Sequence, residues 1–529
     1  MRERSELILA DIIATRAEKT PDLDVLTFEH LSLDGGETPD EVRTFADLHV
    51  NANRIAAELV RRGMQRGDRF ALMMRNLPEF VEIMIAASVT ATVFVPVDPR
   101  SRGAKLAYQL QNAGCRGVVC DSGALDAVLA VRSEIPLEWV VVADADDPGQ
   151  GVESLGDALA RDSATVDVRI QSDSDPLQII YTSGTTGDPK GVVFPNAKFG
   201  AYTMLGWVAG YQPDERPYTG LSLTHGNAQA VTLGPSLGMG LRAVFSRKFT
   251  KSNLWDVCRL HGCTVFSLLG GMATAIYSEP QRPDDSDNPV RFVTSAGMPP
   301  AIWQSFESRF DVKILEWYAA IEGGMAMKPI GEGPVGSFGR PLPGLEMKVL
   351  DDEDNECEPG TIGELCSRPE GATAEPVEYF DNPDASDAKT RGGWLRSGDM
   401  VRADSDGWLF FEYRRGGGIR HNGDFISPGI VEKVIAEHPA VDDVFVYGIP
   451  AASGAPGESD VVAAVVLVPG ADPDWGSVFR CCAEGVEPNF IPSWIQVVDE
   501  IPKTSSEKPQ ERFLAAAFSP ESDTVISRP

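Results

Sequence analysis

With 529 residues, 43% of them hydrophobic and 24% charged, the chain is too long for one compact core and has an ordinary globular composition. A count of 47 basic against 78 acidic residues leaves a net charge of −31, which excludes nucleic acid or an anionic membrane surface as the main partner, since both call for a basic face. An enzyme of polyanions with this balance must concentrate positive charge locally, so a lysine inside a motif carries weight.

The chain opens with charged residues, and its first apolar run is broken by Asp11, so no signal peptide is expected. No stretch approaches the ~18 uninterrupted apolar residues of a membrane span. The cysteines (Cys115, Cys120, Cys258, Cys263, Cys357, Cys366, Cys481 and Cys482) follow no zinc-ligand or small-disulfide spacing, and are expected to be reduced thiols of a cytoplasmic protein.

Apolar periodicity predicts helices over 8–19 and 45–62, a strand over 69–74, a long apolar helix over 80–91 and a strand over 93–97. Helix 106–113, strand 117–120, helix 124–131 and strand 139–142 continue the alternation, which argues for βαβ units and parallel sheets covered on both faces. The stretch 144–175 is acidic and weakly patterned, and is expected to be an exposed linker. It leads into a short apolar strand at 177–181 and then Tyr-Thr-Ser-Gly-Thr-Thr-Gly-Asp-Pro-Lys-Gly over 181–191. Glycines let the backbone aim its N–H groups at one point, the hydroxyls add donors and Lys190 adds a mobile charge, a set suited to phosphate oxygens. A Walker loop needs glycine before the lysine and a hydroxyl after it; here Pro189 precedes Lys190 and Gly191 follows.

Further on come the run 223–229 around His225 and a strand ending in the small turn Ser295-Ala296-Gly297. After a helix over 301–310, a second strand–loop, Lys313 to Gly324, carries Glu316, Trp317, Tyr318 and Glu322. Gly331-Glu332-Gly333-Pro334-Val335-Gly336 fits G-x-G-x-x-G, but the glycines and prolines that follow at once exclude the helix a dinucleotide site requires. Strands at 346–350 and 362–367 flank an acidic turn, and Asp399 and Arg414 lie on the stretches 393–399 and 408–415. Glycines fill 416–418, a ready hinge. Beyond them Ser427 and Pro428 start a helix over 430–437, strands are expected at 442–448 and 461–468, and a helix at 475–483, a small α+β unit. Ile501-Pro502-Lys503-Thr504-Ser505-Ser506-Glu507-Lys508 lies near the end.

These stretches, in this order, resemble the adenylate-forming superfamily of acyl-CoA synthetases, luciferases and peptide-synthetase adenylation domains. The run around His225 looks most like the crotonobetaine/carnitine and fatty-acid CoA ligases. The resemblance implies an α/β protein. Its large N-terminal domain (1–414) would hold mainly parallel, doubly covered sheets plus a β-rich subdomain, followed by a small mobile α+β domain (415–529). It implies that Thr182, Ser183, Gly184, Thr185, Thr186, Gly187 and Lys190 hold the pyrophosphate end of ATP. Gly297, Glu316, Trp317 and Tyr318 would surround adenine, with Tyr318 stacked on the ring, and Asp399 and Arg414 would take the ribose. Glu322, with Thr182, would hold Mg²⁺, and His225 would lie beside the acyl site. Lys508 would bridge the substrate carboxylate and the α-phosphate, with Lys503 as its rival. Arg420, His421 and Gly423 are the CoA candidates.

The implied activity is ATP-dependent ligation of a carboxylic acid to CoA through acyl-AMP, releasing pyrophosphate and AMP. The chain departs from the family pattern at Ile321 (usually threonine), Ala319 and Glu507 (usually glycine) and at the glycine hinge (usually charged). Adenylation with a carrier protein or oxygen as acceptor, and a non-catalytic paralogue that binds nucleotide or acyl ligand, stay open beside the CoA reading. The acid and the oligomeric state, a homodimer included, also stay open.

Overall fold

The computed structural model describes residues 3–161, 164–182, 189–351, 353–414, 418–421, 424–426, 428–451, 459–486, 488–504, 507 and 509–528. Two large sheets share the main core. The first runs, edge to edge, Glu153–Ser154, Trp139–Val142, Cys115–Cys120, Arg69–Met73, Val93–Pro96, Pro176–Thr182 and Lys190–Pro195, all parallel except the last pair. Its central strand shows why: Phe70, Ala71, Leu72 and Met73 are all fully buried, as expected of a parallel strand covered on both faces. The second sheet has nine strands, with a parallel centre from Asp24–Glu29 across to Lys313–Ala319 and antiparallel strands at both edges.

The helix Pro78–Thr90 lies between these sheets, touching strands of both. Every residue of it except Glu79 is buried, so it is apolar all round, and the expected start at 80 moves back because Pro78 occupies its first turn. Helix Phe45–Arg61 beside it starts in a capping box, the Thr44 hydroxyl taking the Asp47 N–H and the Asp47 carboxylate taking the Thr44 N–H. The expected linker over 144–175 is more ordered than its acidity suggests. Strand Glu153–Ser154 joins the sheet edge, helix Leu155–Leu159 follows, and Leu155, Ala158 and Ile170 are buried. A few apolar anchors suffice to hold a polar segment down.

A third, antiparallel sheet (Leu345–Leu350, Ile362–Pro369, Leu395–Ala403, Leu409–Arg414) forms the β-rich subdomain. The C-terminal domain builds its own core around strands Val441–Pro450, Ser459–Leu467, Trp494–Val497 and Val525–Ser527, with helices Pro428–Ala436 and Trp475–Gly485 on one face and Glu511–Ala517 on the other. Among the described residues no helix is long and apolar enough to cross a membrane. Six of the eight cysteines are buried.

Candidate active site

A cavity of 620 Å³ opens where the three sheets of the large domain meet the C-terminal domain. Its walls include Thr182 from the first sheet, Ala296 and Trp317 from the second, Asp399 from the third, and Thr504 from the C-terminal domain. His225 and Glu322 line it as well.

The phosphate-loop candidate is the connection of an antiparallel hairpin: Thr182 pairs with Lys190 in register. Ser183, Gly184, Thr185, Thr186 and Gly187 lie outside the described residues. The Lys190 ammonium sits 5.6 Å from the centre of the Tyr379 ring, and the Tyr379 hydroxyl donates to Glu322 Oε1 at 2.7 Å. Lys389 Nζ stands 3.6 Å from the same oxygen. Lys198 Nζ donates to the carbonyls of Ile321 and Glu322, at 2.5 and 3.2 Å. Burial pushes the Lys198 ammonium down to about 8, against the pull of Glu322. Glu322 is thus held among a phenol and two lysines. Ile321, the departure from the family's threonine, packs close to Gly226, where an added Cβ would lie 2.9 Å from its Cδ1. That contact joins the loop to the run around His225. There the Asn227 N–H donates to His225 Nδ1 at 3.2 Å, which puts the proton of the neutral ring on Nε2.

Strand alternation separates the adenine candidates. Along Lys313–Ala319, side chains point to opposite faces in turn. Tyr318 packs against Phe338, ring centres 4.9 Å apart, and its hydroxyl donates to Asp399 Oδ2 at 2.5 Å. Trp317 faces the other way, among Leu205, Leu315, Met325 and Leu342. It therefore belongs to the apolar end of the cavity, apart from Tyr318. Glu316 lies behind the Gly297 turn, 2% exposed, and accepts the N–H groups of Gly297 at 2.5 Å and Met298 at 3.1 Å. It shapes the turn and is absent from the cavity wall. Gly297 has φ +92°, and a Cβ on Gly270 would lie 2.3 Å from the Gly297 carbonyl oxygen, so both positions require glycine.

Burial pushes the Glu316 carboxyl up to about 8, so at neutral pH it is mostly protonated and resembles a glutamine. A carboxyl raised on folding contributes stability that is complete below its unfolded value of 4.5 and lost as pH rises through about 8. Glu316→Gln is expected to fold normally and to flatten the fall in melting temperature between those limits. A variant that melts with the wild-type pH slope would remove Glu316 from this role.

The C-terminal loop reaches the cavity. Lys503 pairs with Asp443 at 2.6 Å and bridges to Pro509, closing the base of a loop whose Thr504 lines the cavity. Lys503 is thereby committed to its own domain. Lys508 lies outside the described residues, but its neighbour Glu507 is placed, with its carbonyl 3.8 Å from where a Cβ on Gly271 would be. Of Arg414 only the backbone is described, pairing with Asp399 across the third sheet. Of the CoA candidates, Gly423 and the Arg420 side chain lie outside the described residues, and His421 Nδ1 makes a 2.7 Å hydrogen bond with the Ser459 carbonyl within its own domain.

Sequence reasoning missed Lys198, Tyr379 and Lys389. Lys198 had a signal: with Ala201, Tyr202 and Leu205 it forms an i, i+3, i+4, i+7 stripe, and all four line the cavity. Tyr379 and Lys389 come from a segment without pattern, and only the fold brings them to Glu322.

The chain is similar to known proteins over most of its length. Residues 13–374 match the AMP-binding enzyme family and residues 430–508 the AMP-binding enzyme C-terminal domain. A medium/long-chain fatty-acid–CoA ligase of Mycobacterium marinum is 30% identical over 488 residues, covering 90% of this chain and 92% of that one. A crotonobetaine/carnitine–CoA ligase of Salmonella heidelberg is 27% identical over 478 residues, covering 88% and 91%. The crystal structure of an anthranilate CoA ligase in complex with anthranoyl-AMP superposes with a TM-score of 0.83 over 96% of both chains at 23% identity, which shows the shared fold. From its first sheet to its C-terminal loop, the chain belongs to the AMP-binding enzyme family of adenylate-forming enzymes.

Proposed function

We propose that the protein is an ATP-dependent carboxylate–CoA ligase working in two steps in the one cavity. The observation that carries this is the convergence of Thr182, Glu322, Asp399, His225 and, from the C-terminal domain, Thr504 around a single space. In the first step a carboxylate oxygen attacks the α-phosphorus of ATP, a new O–P bond forms and pyrophosphate leaves. In the second the CoA thiol attacks the acyl carbonyl, loses its proton, and AMP leaves. The chemistry is mostly positioning and charge stabilisation. Asp399 exchanges the Tyr318 hydroxyl for the ribose hydroxyls, freeing that ring to lie on adenine. The 182–190 hairpin loop takes the pyrophosphate end, Lys508 the charge gathering at the α-phosphate, and His225 stands beside the acyl carbonyl.

Among the described residues no three His, Cys, Asp or Glu side chains cluster to hold a metal. A lone carboxylate such as Glu322, sharing an ion with phosphates, suits Mg²⁺, which keeps water and takes one or two protein carboxylates. Bound there, Mg²⁺ would neutralise phosphate charge. Cysteines that are mostly buried and follow no disulfide spacing suit a reducing compartment, and the cytoplasm is the proposed location.

The test is pyrophosphate release from Mg·ATP against a panel of carboxylic acids, with and without CoA. Turnover that needs both an acid and CoA is expected. Turnover complete without CoA would replace the acceptor, and ATP binding with no release across the panel would favour a non-catalytic paralogue.

A further inference from the structure

One lysine behind the cavity wall touches both ends of the proposed nucleotide site. Lys389 closes the helix Pro383–Lys389, which starts at Asn382, whose side chain accepts the Ala385 N–H. The same helix holds Tyr379, because the Tyr379 N–H donates to Ser386 Oγ at 3.0 Å. Tyr379 and Lys389 therefore reach Glu322 from one small unit. The first makes a 2.7 Å hydrogen bond and the second an ion pair at 3.6 Å, both on Oε1. Lys389 Nζ also donates to the Ser397 carbonyl at 3.2 Å.

Ser397 opens the turn that presents Asp399. Its hydroxyl takes the Asp399 N–H at 2.9 Å and donates to the Leu365 carbonyl at 2.7 Å, while the Gly398 N–H donates to Glu364 Oε1 at 3.0 Å. The Lys389 side chain is 14% exposed and that of Glu322 7%, so water and salt screen the pair weakly. A carboxylate buried this far is costly without a cation. Lys389 is absent from the cavity wall, so it acts through Glu322 and the turn and not on substrate.

We propose that Lys389 is a positioning residue for both ends of the nucleotide. It neutralises Glu322 until ATP arrives, so that this carboxylate takes its ion together with the phosphates and not alone, and it holds the turn that presents Asp399 to the ribose. The proposal rests on the ligase reading and deepens it. Removing the cation has opposite consequences at the two ends. Glu322, relieved of a competing positive charge, holds a divalent ion more tightly. The turn, short of one hydrogen bond, selects the ribose less well. General loosening of the fold would weaken both.

Two measurements on the full-length enzyme test this. One is the Mg²⁺ concentration for half-maximal pyrophosphate release with ATP, acid and CoA. The other, without metal or turnover, is the ratio of Kd for 2′-deoxy-AMP to Kd for AMP by calorimetry. In Lys389→Met the half-saturating Mg²⁺ is expected to fall about threefold or more. The ribose ratio is expected to fall about fivefold, within the range of one hydrogen bond. Tyr379→Phe, which takes a donor from Glu322 and leaves Ser397 alone, is expected to keep the ribose ratio. Lys389→Arg retains charge and donors and is expected to bring both readings back near wild type. Should Lys389→Met fail to fold, Lys389→Gln, which removes the charge and keeps a polar end, carries the Mg²⁺ half of the test. A Mg²⁺ requirement unchanged or raised, or a ribose ratio unchanged, in Lys389→Met would each overturn this proposal while leaving the ligase reading intact. Silence of the wild type with every acid would overturn the ligase reading and the metal half with it; the AMP ratio, which needs no turnover, would still decide the ribose half.

Discussion

Replacing Lys508 by alanine is expected to slow adenylate formation on the order of 10²–10³-fold, while thioester formation from supplied acyl-AMP stays within a few fold. The asymmetry follows from where negative charge gathers. In the first step the attacking carboxylate, the α-phosphate and the leaving pyrophosphate crowd one point, and an ammonium there stabilises the transition state more than the ground state. In the second step AMP departs and that crowding is gone. The structure bears on this by placing the flanks: Thr504 lines the cavity, and the carbonyl of Glu507 abuts the helix Gly270–Tyr277. Lys503 is tied to Asp443, so Lys503→Ala is expected to lower stability and leave the step ratio unchanged. Rapid quench of the two half-reactions separates the variants. Equal slowing of both steps by Lys508→Ala would remove it from the adenylation step.

The architecture was legible because long periodic segments dominate it. The alternation from 69 to 142 folds as expected, since strands buried on both faces and amphipathic helices leave unmistakable patterns. Order within 144–175 was not, because its few buried residues are scattered through acidic sequence. At the site, Tyr318 and Asp399 stand out in the sequence only as separate candidates, whereas their 2.5 Å hydrogen bond joins residues far apart in the chain. Grouping Trp317 with Tyr318 ignored the period of two that puts neighbours on opposite faces. Glu507 shows the reverse. Standing where the family's usual residue is glycine, it takes φ +59°, and an L side chain there costs about 1–2 kcal/mol. A departure in sequence thus becomes strain in the loop that carries Lys508.

Glu322→Gln is expected to lower adenylation on the order of 10²-fold, to raise the Mg²⁺ concentration needed for half-maximal rate, and to displace a pH limb. The first two effects follow from exchanging a carboxylate for a neutral amide at the one carboxylate proposed for the ion. The amide can still accept from Tyr379, so the site keeps its shape and the loss reports on charge. The third effect comes from Lys198, whose ammonium titrates at about 8, lowered by burial and held up by Glu322. Wild-type adenylation is expected to fall above that pH as the cation beside Glu322 is lost. Without the Glu322 charge the burial effect is less opposed, so the limb should move to lower pH. In Lys198→Met it should vanish. A limb that stays fixed in Glu322→Gln would mean that Lys198 is not the titrating group. An unchanged Mg²⁺ requirement would take Glu322 out of the metal site.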